Sequence, residues 1–120
     1  MQASKPYYFY LWRHRYIDDT TNEVVSRTCF GITGNIDDRR NGYEGHVGHT
    51  VKFERVWSST EPRIIRDLES RVKVDFDEYL VRGHRNYRYE WINESIPFED
   101  VVKYVEWEVS RLIGVESIEL

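Results

Sequence analysis

One cysteine, Cys29, is all the chain has, which excludes an internal disulfide framework and any cysteine-based zinc finger. No apolar run approaches the eighteen or so residues that span a bilayer. The first ten residues, MQASKPYYFY, show no apolar signal core behind a basic start. Internal repeats, linkers and low-complexity segments are also missing. The expectation is a soluble cytoplasmic protein with no membrane partner. What is present is a 120-residue chain, 40% hydrophobic, 32% charged and 15% aromatic, which is enough for one folded domain over 1–120.

The net charge of −4 argues at first against a phosphate-rich partner. The charge is unevenly placed. Residues 94–120 carry seven acids against Lys103 and Arg111, a local balance of −5, so residues 1–93 stand at +1. Thirteen of the seventeen bases are arginine, whose planar fork binds phosphate in bidentate fashion.

Residues 7–14 (YYFYLWRH) and 24–32 (VVSRTCFGI) read as two strands of a hairpin around the turn residues 18–23. Asn35 can cap a short helix from Ile36, with Asp37 and Asp38 in its first turn. Gly42, Gly45 and Gly48 are expected to end it and form a loop through His49. Residues 50–57 alternate as a third strand. A helix follows from about Pro62 to Val81 on the stripe Ile64, Ile65, Leu68, Val72 and Phe76. Residues 84–93 read as a loop or short strand. Pro97 opens a last helix whose stripe runs from Phe98 to Ile113. The expected fold is α+β: a small three-stranded antiparallel sheet flanked by helices, ββαβα plus a C-terminal helix.

Three features carry chemistry. Gly31 ends a strand, and Arg39 stands one turn into the following helix, pointed back over the strand end. Spacing alone favours an arginine solvated on the helix face beside Asp37 and Asp38. Glu69 borders the Ile65–Leu68–Val72 stripe, where a partly desolvated carboxylate either pairs with an arginine such as Arg66 or binds a hard cation. Tyr8 and Tyr10 share one face of the first strand, because strand faces repeat every second residue.

Together these residues resemble the GIY-YIG nuclease family. Cys29-Phe30-Gly31 stands at the YIG segment, and Gly31 through Arg39, with Thr33 and Asn35, resembles the family's G-x-[ST]-x-[ND]-x-x-x-R run. Leu68-Glu69 resembles its glutamate helix, and Tyr89-Glu90-Trp91-Ile92 the E-W-F segment of a phage-rich branch. The first motif tyrosine falls at Tyr10, with Tyr8 the second choice, and Cys29 replaces the other motif tyrosine. The resemblance covers residues 7–93, with 94–120 an appended acidic helix.

It implies a metal-dependent endonuclease that hydrolyses DNA phosphodiesters, RNA not being excluded, at one Mg²⁺ or Mn²⁺ site. Glu69 would hold the metal and Arg39 would clamp the phosphate. With Cys29 in place of the tyrosine, the base is sought among Tyr10, Tyr43, His46 and His49. Arg40, His49, Arg85 and Arg88 are candidate substrate contacts. Glu99, Asp100, Glu106 and Glu108 on the last helix would turn that side away from phosphate or offer a homodimer contact, with Trp107 at the edge of its stripe; otherwise the protein is monomeric. The alternative is a catalytically inactive nucleic-acid-binding or protein-interaction module on the same scaffold.

Overall fold

A computed structural model describes residues 5–81 and 90–120. β1 (Tyr7–Ile17) and β2 (Val24–Thr33) form the expected hairpin, in continuous register from Tyr8 opposite Thr33 to Ile17 opposite Val24. Its turn is tied by the Asp18 carboxylate, which accepts from the Thr20 amide at 2.8 Å. α1 (Ile36–Val47), β3 (Arg55–Ser59), α2 (Pro62–Asp75), β4 (Glu90–Ile92), α3 (Phe98–Ser110) and β5 (Glu116–Ile118) complete the order. Among the described residues the sheet has five strands, not three, all antiparallel in the order β4-β2-β1-β3-β5. The two added strands are three-residue edges too short to give a sequence pattern.

The pleat of β1 divides the interior into two layers. Phe9 and Leu11 join Phe30 and Trp57 beneath Ile65, Leu68 and Val72 of α2 and Val101, Val102 and Val105 of α3. Tyr10 and Trp12 face the other way, with Cys29, Val56, Val51 and Phe53, and Tyr43 of α1 closes over them. α1 therefore covers one face of the sheet, and α2 with α3 the opposite face.

Several boundaries differ from expectation. β3 begins at Arg55; residues 51–54 carry buried Val51 and Phe53 without being a strand. α2 stops at Asp75, and a single 3₁₀ turn follows over Asp77–Tyr79. α3 ends at Ser110, which leaves Ile113 90% exposed instead of on the stripe. Glu108 does not belong to the solvated acidic face. It is buried in α3, where its carboxylate accepts from Arg71 Nη1 at 2.9 Å and from Tyr104 Oη at 3.3 Å. Trp107 is 53% exposed, with the Arg111 guanidinium 4.7 Å from its ring centroid. Among the described residues no helix is long and apolar enough to cross a membrane.

Candidate active site

α1 is placed by its ends. Thr33 Oγ1 accepts from the Asn35 amide at 3.0 Å, and the Asn35 side chain accepts from the Asp38 amide at 3.1 Å, the expected N-cap. Gly42 and Gly45 lie inside the helix. Gly48, at φ 76°, closes it, its amide donating to the Glu44 carbonyl at 2.9 Å. His46 is consequently an exposed residue of the last helical turn and not of a glycine loop.

This placement brings Arg39 back over β1. Its Nη1 donates to the Tyr10 hydroxyl at 3.1 Å, so it is half-buried and held, not solvated beside Asp37 and Asp38. Tyr10 Oη lies 2.7 Å from Tyr43 Oη, and the Cys29 thiol donates to the Tyr43 hydroxyl at 3.5 Å. Both phenols are fully buried. Tyr10 stacks on Phe53 at 4.4 Å, and Tyr43 leans on Trp12 at 4.9 Å. Gly31 makes the arrangement possible. A Cβ there would stand 2.3 Å from Tyr10 Oη, so the group that approaches this glycine is the phenol itself.

Burial is the largest influence on both phenols and raises their pKa values well above the usual tyrosine value. The Arg39 guanidinium and the bond to Tyr43 pull Tyr10 down, by less than burial lifts it. Near neutral pH both phenols keep their protons. They act as hydrogen-bonding groups, and the Tyr10 hydroxyl holds Arg39.

The other candidates are placed as follows. Tyr8 is half-buried against the α1-side layer. Arg40 pairs with Asp37 at 3.3 Å. Glu69 sits on α2, across the sheet from α1, its side chain 19% exposed and 3.5 Å from Lys73 Nζ. The expected partner Arg66 instead lies over the Tyr7 ring. Arg85 and Arg88 fall outside the described residues. Among the described residues no group of three or more His, Cys, Asp or Glu is arranged to hold a metal ion. A magnesium ion bound through one carboxylate and water needs no such group, and Glu69 fits that donor chemistry.

Arg39 and Glu69 lie on opposite faces of the sheet, Arg39 in the first turn of α1 and Glu69 about two turns into α2. Both helices start at one end of the sheet, after β2 and β3. β4 pairs with β2 over Thr28–Phe30 and is bridged on its other side by Leu80, so among the described residues the outer edge of β2 at Gly31–Thr33 has no strand partner. That edge separates the two layers.

Sequence reasoning missed one cluster. His14 continues the Tyr8–Tyr10–Trp12 face, and its ring stacks on His49 at 5.7 Å and 8°. Its position on the even face of β1 was the available signal; its nearness to His49 was not. Burial, then His49, Arg27 and His46, hold the His14 pKa below 6.5. The unfolded chain therefore binds this proton more readily. Stability is full above pH 6.5 and falls as pH drops toward the folded-state pKa. We expect the urea midpoint to fall between about pH 7.5 and about pH 5.5, and His14→Phe to reduce that fall. Parallel pH curves for the variant and the parent would count against it.

No family model, curated protein or solved structure matches this chain.

Proposed function

We propose that the protein is a metal-dependent endonuclease of GIY-YIG type acting on DNA. The observation that carries this reading is the hydrogen bond from Arg39 to Tyr10 beside Gly31. It joins the strand tyrosine to the arginine of the run that resembles the family. An arginine oriented by a buried phenol is a preorganised donor for a phosphate oxygen, and electrostatic preorganisation of this kind is a large part of catalysis.

The scissile phosphate would lie beside the Gly31–Thr33 end of β2, with Arg39 on its non-bridging oxygens. Glu69 would hold Mg²⁺ or Mn²⁺, which supplies Lewis-acid stabilisation of the leaving oxygen. His46 and His49 are exposed but stand about two turns of α1 or more beyond Arg39, about 10 Å by helix rise, so neither is assigned as the base at that phosphate. The acidic α3 packs beside α2 on the face away from α1, so the polyanion would approach at the Gly31–Thr33 edge of β2, with Arg39 to one side of the sheet and Glu69 to the other.

The test is nicking of supercoiled plasmid with Mg²⁺ or Mn²⁺. Glu69→Gln should slow nicking roughly a thousandfold while the fold survives, by analogy with the loss of a comparable electrostatic group. Undiminished nicking by the folded variant would sink the assignment. A non-catalytic DNA-binding module is the second reading, favoured by Cys29, which is buried where the motif carries a tyrosine. Metal-independent binding by the parent protein, with no nicking, would select it.

A further inference from the structure

β1 outruns its partner. β3 pairs with it only over Tyr7–Leu11, and the Glu54 amide adds one last bond to the Leu11 carbonyl at 2.9 Å. Alternate residues of an antiparallel strand send their amides to opposite sides. Arg13 and Arg15 therefore direct theirs as Leu11 does, toward an edge that among the described residues has no strand beside it. Residues 49–54 flank that edge and leave a cleft of about 280 Å³, lined by Trp12, Arg13, Arg15, His49, Lys52 and Glu54 among others.

The charge in this cleft is one-sided. Glu54 is its single acid, and Arg13 engages both carboxylate oxygens, with Nε 2.6 Å from Oε2. Arg15 and Lys52 are exposed and form no ion pair among the described residues. Two cations are thus left over, beside the hydroxyl of Thr50 and the outward strand amides. Donors without acceptors, plus net positive charge, describe a site for an anionic oxygen cluster.

We propose that this cleft binds a backbone phosphate of a nucleic-acid strand, as a second anchor apart from Arg39. α1 leads from one to the other. Its rise of 1.5 Å per residue puts about 12 Å between Arg39 and Val47, just before His49, which corresponds to roughly three or four nucleotides of a B-form strand. A strand held at both points lies along α1, on the face away from the acidic helix. The proposal rests on the nucleic-acid reading above for the identity of the polyanion.

The experiment is fluorescence anisotropy of a labelled DNA duplex with the full chain, in EDTA, across a salt series. The parent is compared with Arg15→Gln/Lys52→Gln. Two lost phosphate contacts should flatten the log–log salt dependence by about 1.5–2 and weaken binding roughly tenfold or more near physiological salt. Both residues are exposed, so the melting temperature should be unchanged. Equal affinity and slope in the two proteins overturn the proposal, as does an absence of duplex binding by the parent. If the parent never nicks plasmid but the variant loses affinity and slope, the cleft stands and the nuclease reading falls. If the parent nicks and the variant binds unchanged, the reverse holds.

Discussion

Gly31→Ala is expected to destabilise the protein by about 3 kcal/mol, read as a lowered urea midpoint. Overpacking a core costs about 1–3 kcal/mol, and a buried hydrogen bond broken in the process about 1–3 more. The new Cβ would meet Tyr10 Oη at 2.3 Å and Cζ at 2.8 Å. The phenol has nowhere to retreat. It is fully buried, stacked on Phe53, and bonded to Tyr43 and Arg39. Any shift that relieves the clash breaks those bonds. Tyr10→Phe in the same background removes the nearest atom, so the double-mutant cycle should show coupling above about 1 kcal/mol. A Gly31→Ala protein as stable as its parent would mean that the Tyr10–Gly31 contact is misassigned, and with it the seat of Arg39.

The hairpin and the cores of α2 and α3 were legible in sequence because their side-chain periods report burial directly. The misses show where burial and pairing separate. Val51 and Phe53 alternate with Lys52 and Glu54 as a strand would, and both are buried. Yet only the Glu54 amide bonds to β1 before the ladder starts at Arg55. Alternation records which residues face the core, and it is silent on whether the backbone has a neighbour. β5 is the converse. Glu116-Ser117-Ile118 has no apolar run, and it is a strand because Val56–Ser58 offer it an edge. Gly42 and Gly45, each costing a helix about 1 kcal/mol, did not end α1. The Asn35 cap, the Gly48 closure and the burial of Tyr43 outweigh them.

In the candidate site, the spacing from Gly31 to Arg39 was visible. The thirty-three-residue link from Tyr10 to Tyr43 was not, because it depends on α1 folding back over β1. The same limit hid Glu108. An acid three positions after Val105 reads as surface until Arg71 of the neighbouring α2 is seen beside it, with Tyr104 one turn back on α3. The resulting buried pair is half-open on the arginine side, which keeps its contribution modest.

Arg39→Ala is expected to lower plasmid nicking about a thousandfold, the usual loss for a group that stabilises transition-state charge. Arg39→Lys should recover little, because an ammonium keeps the charge and loses the planar fork. Tyr10→Phe separates the roles within the pair. If Tyr10 positions Arg39, its loss frees the guanidinium without removing it. The rate should then fall only about tenfold, equivalent to about 1.4 kcal/mol of barrier, and the pH–rate profile should keep its shape. If Tyr10 were the base, the rate would fall as far as in Arg39→Ala, and the limb of the profile that reports the base would disappear. Burial argues for the first outcome. Its apolar surroundings raise the phenol's pKa and favour the protonated, hydrogen-bonding form. The same substitution leaves the Tyr43 hydroxyl in the core without its 2.7 Å partner, so a stability loss of about 1–2 kcal/mol should accompany the modest rate change. A large stability loss with an unchanged rate would assign the phenol pair to the fold alone.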